Sequence, residues 1–452
     1  MFSRRMTLAI GGVVVLFFGG LGVYLYATES NSPSRNQSST KKDSNRLFEN
    51  SSITSQTEKV IDEPSALFND PAINQAWGLK KSDAARAWSV TKGSKNVVVA
   101  VIDTGIDEHH EDLTDNLWVN PGESGKDSQG RNKASNGIDD DGNGFIDDVH
   151  GWNFVSNNNK LDDNHGHGTH IAGIIGAEAG NGKGISGISP QVSLMVLKYY
   201  DPKVPNTDNL KNTVAAMKYA VKMGARIINY SGGGTEYSQE EHDAVQEAER
   251  KGVLFVAAAG NERSNSDQHH YYPADYKLRN IISVTAIDPT TQVLNSSNYG
   301  VETVDIAAPG QNILSCLPGN SYGYMTGTSQ ATAFVSGAAA LIMANKPAFS
   351  NEDVKKYILS TGDAQTQLAA KTRTSRQLNL YKALTILDQG VSASGIMTVN
   401  VDSMKKLGAD PNEAPAGRAA NEVSAFGRSL IDAIGKSSKT RVGTKGGSGE
   451  GF

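Results

Sequence analysis

The stretch Gly327-Thr328-Ser329-Gln330-Ala331-Thr332 holds the chain's best placed hydroxyl for nucleophilic chemistry. It opens the apolar run Ala331–Met343, long and Ala-rich enough to be a buried helix. Ser329 then falls in that helix's first turn, where unpaired backbone N–H groups and the positive end of the helix dipole favour developing negative charge. Gly327 leaves room for another backbone to approach. The plainer reading is an N-cap, the usual role of Thr or Ser before a helix.

Three more stretches could act with it. Asn96–Ile102 reads as a strand buried on both faces, and it ends in Asp103-Thr104-Gly105-Ile106-Asp107. Asp103 is a candidate acid at a strand end, or a turn-forming Asp before Gly. Asp163-Asn164-His165-Gly166-His167-Gly168-Thr169-His170 puts three of the chain's nine histidines within six residues. A metal site on His165, His167 and His170 and plain helix capping by Thr169 are both open readings. Val253–Ala259 runs into Gly260-Asn261-Glu262, so the Asn261 amide could donate to an oxyanion, or simply make a turn. Another strand ends in Ser231-Gly232-Gly233-Gly234. Glycines after strand ends let a peptide lie alongside as an added strand.

The elements that must position these residues alternate. Strand-like runs recur at Ser193–Lys198, Arg226–Tyr230, Val253–Ala258 and Ile281–Ala286. Helical patterns lie between them: Asp208–Met223, with Leu210, Val214, Met217 and Val221 on one face, and Gln239–Lys251. Strand and helix in alternation imply an α/β fold, a doubly wound, mostly parallel sheet flanked by helices. Such sheets bind ligands beyond the carboxyl ends of their strands. No internal repeat is visible.

Length and composition bound the rest. A chain of 452 residues suggests about three domains, although one α/β domain can take most of it. Net charge is −5 and no basic block dominates, which argues against nucleic acid as a partner. Cys316 is the one cysteine, so no internal disulfide can form. Arg4 and Arg5 precede an uncharged run, Met6–Ala27, about as long as a membrane-spanning helix. It reads as an uncleaved anchor with the remainder exported, a cleaved signal (1–27) being the alternative. Residues 28–66 read as a polar linker, 67–388 as the folded domain, and 389–452 as a flexible tail. In the tail, Val423, Phe426, Leu430, Ile431 and Ile434 have helical spacing.

Asp103-Thr104-Gly105, His167-Gly168-Thr169-His170, Ala259-Gly260-Asn261 and Gly327-Thr328-Ser329 occur in this order, and together they resemble the subtilisin family of serine proteases. Tyr272-Pro273-Ala274, Ser297-Asn298-Tyr299-Gly300 and Ala307-Ala308-Pro309-Gly310 add to the likeness, which covers about Leu67 to Leu387. The resemblance implies a serine endopeptidase acting on polypeptides, with a monomeric catalytic domain. Ser329 would be the nucleophile, His167 the base, Asp103 its orienting acid, and the Asn261 side chain with the Ser329 N–H the oxyanion hole. Ser231, Gly232 and Gly233, with Ala258, Ala259 and Gly260, match segments that bind substrate backbone and line the main specificity pocket. His165 and His170 become structural. A catalytically inactive peptide-binding protein on the same scaffold is the competing class; it predicts a lost triad member, and none is lost.

The chain also departs from the family pattern. After Ser329 it has Gln330-Ala331-Thr332-Ala333-Phe334 where Met-Ala-Thr/Ser-Pro-His is common, and after Lys198 it has Tyr-Tyr-Asp-Pro-Lys-Val-Pro in place of a Gly-rich edge. Residues 136–148 pack Asp139, Asp141, Asn143 and Asp147 around turn glycines, like the first half of a calcium loop. Its twelfth position counted from Asp139 is His150, not Glu, so it is no EF-hand. Asp70, Asp112 and Asn181 match positions that ligate calcium in relatives. Structural Ca²⁺ is therefore expected, and no organic cofactor.

Overall fold

The computed structural model describes residues 63–386. In chain order the strands are β1 (Gly93–Asp103), β2 (Gly151–Asn153), β3 (Gln191–Lys198), β4 (Ile227–Tyr230), β5 (Leu254–Ala258), β6 (Ile281–Ile287) and β7 (Ile306–Pro309). A hairpin, β8 (Ile313–Leu317) and β9 (Ser321–Met325), follows, then the short β10 (Asp363–Ala364) and β11 (Arg376–Gln377). The main sheet has nine strands in the order β10-β11-β7-β6-β5-β4-β1-β3-β2. All its pairings are parallel except β10 with β11.

Eight α-helices accompany them among the described residues: α1 (Trp77–Lys81), α2 (Ala84–Val90), α3 (His167–Gly176), α4 (Asn209–Lys222), α5 (Gln239–Arg250), α6 (Thr328–Asn345), α7 (Asn351–Thr361) and α8 (Leu380–Thr385). The sheet is covered on both faces, and strand alternation sorts its side chains between two cores. Val99 and Val101 of β1, Ile227 of β4 and Val256 of β5 join the cluster formed with α3 and α6. Ala100 and Ile102, Ile228, and Phe255 and Ala257 join the one formed with α4 and α5. Each fully buried Val, Leu, Ile or Phe contributes about 1.5–3 kcal/mol.

The same alternation decides where the polar residues at the strand ends point. Asp103 continues the series of Val99 and Val101, so its side chain falls on the α3 and α6 face. Asn229 and Ser231 continue that of Ile227, and their partners are on α6: Ser336 Oγ donates to Asn229 at 2.8 Å, and the Ser231 hydroxyl donates to the Ser329 carbonyl at 3.4 Å. Helix α3 lies close against the chain leaving β1. A β-carbon on Gly168 would stand 2.1 Å from the Gly105 carbonyl oxygen, so glycine is required there.

The expected strands are present, extended by one to three residues or trimmed by one. The two ends of the expected helix face differ. Leu210 is 43% exposed and Val221 only half-buried, whereas Thr213, Val214, Ala216, Met217, Tyr219 and Ala220 are buried. Helix α4 packs against α5 as well as the sheet, which widens and turns its buried stripe. Asp208 is its N-cap, accepting from Lys211 N–H at 3.0 Å. Phe334 is buried on α6 with its ring over Gly78, where a β-carbon would be only 2.5 Å away. The Met6–Ala27 run and the 423–434 helical spacing lie outside the described residues. Among the described residues no helix is long and apolar enough to cross a membrane.

Candidate active site

The carboxyl ends of β1, β4 and β5 and the amino ends of α3 and α6 meet at one edge of the sheet. β1 and β4 are paired Ile102 with Tyr230, so Asp103 and Ser231 stand level. Asp103 is buried, and its Oδ1 accepts from Thr104 N–H at 2.8 Å and lies 2.7 Å from His167 Nδ1. A carboxylate acceptor fixes the proton of neutral His167 on Nδ1 and leaves Nε2 as the basic nitrogen. Burial lowers the His167 pKa, but the Asp103 charge and hydrogen bond, with the Asp163 charge behind them, outweigh it and hold the pKa above its ordinary value.

Ser329 sits in the first turn of α6 with no capping role; the N-cap is Gly327, whose side is bare. Its Oγ donates to the Ser231 carbonyl at 3.3 Å, a long bond for a hydroxyl. The Ser231 hydroxyl returns a 3.4 Å bond to the Ser329 carbonyl. Beside it, Asn261 Oδ1 accepts from Thr328 N–H at 3.1 Å and from the Thr328 hydroxyl at 3.2 Å. A backbone N–H can only donate, so the accepting atom is the oxygen and the Asn261 NH₂ group is the end left to face outward.

The histidine-rich stretch resolves into three different environments. His165 is exposed, with its ring 6.1 Å from that of His167. His170 is buried, and its Nε2 faces two carbonyls, Ile313 at 3.0 Å and Gly323 at 3.2 Å. Nε2 therefore carries the proton, and burial together with His167 pushes the pKa down to about 4. His170 ties α3 to the β8–β9 hairpin. The three rings do not converge on one point, and the single group of three metal-capable side chains among the described residues is Glu123, Asp139 and Asp141. The zinc-like reading of the histidines is set aside on that geometry.

Residues not singled out from sequence hold this edge together. Asp163 accepts from the Thr104 hydroxyl at 2.8 Å, from His165 and Gly166 N–H at 3.0 and 2.7 Å, and from Thr169 N–H and hydroxyl at 2.9 and 2.7 Å. The N-cap of α3 is Gly166, and it is the Asp163 carboxylate, not the Thr169 side chain, that takes up N–H groups at the start of the helix. Burial raises its pKa, but these donors outweigh that and keep it below the ordinary carboxylate value. Thr104 accepts in turn from Gly168 N–H at 2.9 Å. Lys198, paired in register with Asp103, is buried with its Nζ 2.5 Å from the Asp162 carbonyl and 2.7 Å from Asp201. The available signal was an Asp a few residues before a helix, a capping pattern.

The acidic residues form two groups. Glu123, Asp139 and Asp141 bring carboxylate oxygens within 4.8 Å of one another. Glu123 was not expected; it is buried, its Oε1 accepts from Asp140 N–H at 2.8 Å, and its Oε2 has no partner. Two expected members turn elsewhere. Asn143 Oδ1 accepts from Phe145 N–H at 2.7 Å while its amide donates to Asp141 and Asp148, and Asp147 accepts from Gly137 N–H at 3.1 Å. In the second group Asp70 and Asp112 both close on the 180–186 loop. Asp70 accepts from Gly180 N–H at 2.9 Å, and Asp112 from Asn181 Nδ2 at 3.0 Å and Ile185 N–H at 2.9 Å. The two residues are 2% and 0% exposed.

Comparison with known proteins matches residues 94–380 to the model of the subtilase family. The chain belongs to that family. It is 34% identical over 299 residues to the thermophilic serine proteinase of Bacillus sp. (strain AK1), an overlap covering 66% of this chain and 64% of that protein. It is 32% identical over 319 residues to thermitase of Thermoactinomyces vulgaris, covering 70% of this chain and 98% of thermitase. The crystal structure of fervidolysin from Fervidobacterium pennivorans, described as a keratinolytic enzyme related to subtilisin, superposes with a TM-score of 0.57 at 27% identity, over 70% of this chain and 46% of that one. The family and these relatives support serine-type endopeptidase activity.

The charge of Asp103 sets a sign for pH dependence. A general base must be neutral to accept a proton, and Asp103 favours the protonated imidazole. The acid limb of kcat/KM on a peptide substrate is expected to have its midpoint above 6.5, the ordinary histidine value, and Asp103→Asn is expected to lower both the rate and that midpoint. The same raised pKa gives a stability contribution that is present below pH 6.5 and lost as pH rises through the folded-state value. A wild-type midpoint below 6.5 contradicts the assignment.

Proposed function

We propose that the protein is an exported serine endopeptidase that hydrolyses peptide bonds through Ser329, His167 and Asp103. The observation that carries this reading is the 2.7 Å contact between Asp103 and His167 Nδ1, which leaves Nε2 basic at the sheet edge where α6 delivers Ser329. Ser329 Oγ gives up its long bond to Ser231, passes its proton to His167 Nε2, and attacks the carbonyl carbon of the scissile bond. The carbonyl oxygen becomes an oxyanion that accepts from Asn261 Nδ2 and the Ser329 N–H. As the C–N bond breaks, His167 returns the proton to the leaving amine, and an acyl ester remains on Ser329. Water then attacks that ester, losing its proton to His167, and the acid product leaves with Ser329 restored. Asp103 holds the imidazole tautomer and stabilises the imidazolium without taking the proton itself.

Substrate backbone is proposed to lie along Ser231, Gly232 and Gly233 on one side and Ala258, Ala259 and Gly260 on the other, at the ends of β4 and β5. Ser329→Ala removes one hydroxyl and no core volume. It is expected to abolish casein cleavage by several orders of magnitude with an unchanged melting curve. Asn261→Ala is expected to lower kcat by about 10²–10³ with KM little changed, because the amide acts once charge develops. Near wild-type cleavage by the serine variant, or a change in KM alone for the asparagine variant, contradicts the assigned roles.

Export is proposed from Arg4 and Arg5 followed by the uncharged Met6–Ala27 run, which would anchor the chain with its catalytic part outside the cytoplasm. The protein is then expected in the membrane fraction after a high-salt wash. A soluble protein whose N-terminus begins near Thr28 indicates a cleaved signal instead.

Structural calcium is proposed at both acidic groups. Three clustered carboxylates, one with a partnerless buried oxygen, suit a hard cation with oxygen ligands. Burial and the neighbouring carboxylates raise the pKa of Glu123, as clustered like charges do. Asp70 and Asp112, buried and held by neutral donors, with Asn181, would tie the N-terminal arm of the domain to its body through a second ion. Binding only to the native state stabilises by RT ln(1 + [L]/Kd), about 2.7 kcal/mol at a hundred times Kd. Melting is expected at a higher temperature in excess calcium than in EGTA, with the difference reduced in Glu123→Gln, Asp139→Asn/Asp141→Asn and Asp112→Asn variants. Superimposable curves after exhaustive chelation leave both groups as hydrogen-bonded acidic loops.

A further inference from the structure

Ser329 is followed by a buried polar residue that no hydrogen bond accounts for. Gln330 lies in the first turn of α6 and is 2% exposed. Its side-chain amide has no hydrogen-bond partner among the described residues. Both amide atoms nevertheless keep a small accessible surface, so the end of the side chain is turned to the open edge of the site. A buried amide without a partner is costly, and the rest of this helix is filled largely by Ala, Val, Phe, Leu, Ile and Met. Methionine, common at this position in the family pattern, has a similar reach and no amide.

The neighbours of the amide indicate its use. A β-carbon built on Gly327 would stand 3.3 Å from Gln330 Oε1 and 3.5 Å from both Asn261 Nδ2 and Asn261 Oδ1. The two amides therefore border the same bare face of Gly327. The Asn261 oxygen is taken by the Thr328 N–H and hydroxyl. Asn261 Nδ2 has no partner among the described residues. It carries two hydrogens, of which an oxyanion takes one. In the free enzyme Asn261 is exposed and water can serve the other. A bound peptide covers this edge and removes that water, and Gln330 Oε1 is then the acceptor at hand. Asn261 is pinned at its oxygen, so the contact closes by rotation about the side-chain torsions of Gln330.

We infer that Gln330 is a positioning residue for the oxyanion hole: its Oε1 takes one N–H of Asn261 Nδ2 when substrate is bound, and so aims the other at the oxyanion. The inference rests on the proposed oxyanion role of Asn261. With Thr328 holding the oxygen and Gln330 holding one hydrogen, the plane of the Asn261 amide is fixed from both ends. Gln330 touches neither the scissile bond nor the migrating proton, and its whole effect passes through Asn261.

The test is a double-mutant cycle on one peptide p-nitroanilide, comparing wild type, Gln330→Met, Asn261→Ala and the double variant. Concentrations are set by serine-directed fluorophosphonate labelling, so that inactive enzyme is not counted. Gln330→Met is expected to lower kcat about 5- to 10-fold, the size of one neutral hydrogen bond, with KM within about 2-fold of wild type. In the Asn261→Ala background the same substitution is expected to change kcat by less than about 2-fold, because the group it positions is gone. A purely structural role would lower kcat in both backgrounds alike. So would direct donation from Gln330 Nε2 to the oxyanion. An equal loss in both backgrounds, or a Gln330→Met enzyme with wild-type kcat, overturns the inference and leaves the peptidase reading intact. An Asn261→Ala enzyme that keeps wild-type kcat overturns the oxyanion reading itself, and the inference with it. Should Gln330→Met fail to fold, Gln330→Leu is expected to give the same cycle, and a Gln330→Leu enzyme without the kcat loss overturns the inference.

Discussion

The Asp163 carboxylate, nearly out of reach of solvent and surrounded by five hydrogen-bond donors, is the constraint on which the site geometry depends. An isolated buried charge is costly, and only a full set of donors makes it tolerable. Here the donors come from both parties that must be aligned. Thr104 belongs to the chain leaving β1, next to Asp103; Gly166 and Thr169 flank His167 on α3. Satisfying one carboxylate thereby fixes the separation of Asp103 and His167. Lys198 strengthens the frame from the next strand, its buried cation matched by Asp201 and the Asp162 carbonyl.

The sheet supplies the second constraint. Parallel strands covered on both faces leave their carboxyl ends as the natural place for polar groups to collect. The alternation that buries Val99, Val101 and Ile227 sends Asp103, Asn229 and Ser231 to the α6 face, toward the helix that carries Ser329. Fold and site are consequences of one period-two pattern, and shifting the register of β1 by one residue would turn Asp103 to the α4 and α5 side.

That pattern is why much of the candidate site is legible in the sequence. Asp103, His167, Asn261 and Ser329 each lie at the end of an apolar run or the start of one, so strand and helix boundaries locate them. Asp163 was harder, because its role depends on a hydroxyl on another element, Thr104. Glu123 was invisible for the same reason: it enters the acidic cluster from a loop remote from Asp139 and Asp141 in sequence. The loop's own spacing pointed to Asn143 and Asp147, but local turns claim those side chains first. Leu210 was misplaced because a helix packed on two neighbours does not bury the single stripe that periodicity alone suggests.

Helix α6 is buried on every side from Thr328 to Met343, with the sheet below it and α3, α7 and α8 around it. A helix with a solvent face can absorb a substitution by leaning outward; this one cannot. Any change of volume along its sixteen buried residues must be taken up by a neighbour or passed along the rod toward its first turn. Ser329, the proposed nucleophile, is therefore carried by an element with little room to adapt, while the segments proposed to hold substrate lie at the ends of β4 and β5. Divergence within such a scaffold is channelled: substitutions are accommodated more readily in the loops that leave the strand ends than in the buried helix that carries Ser329.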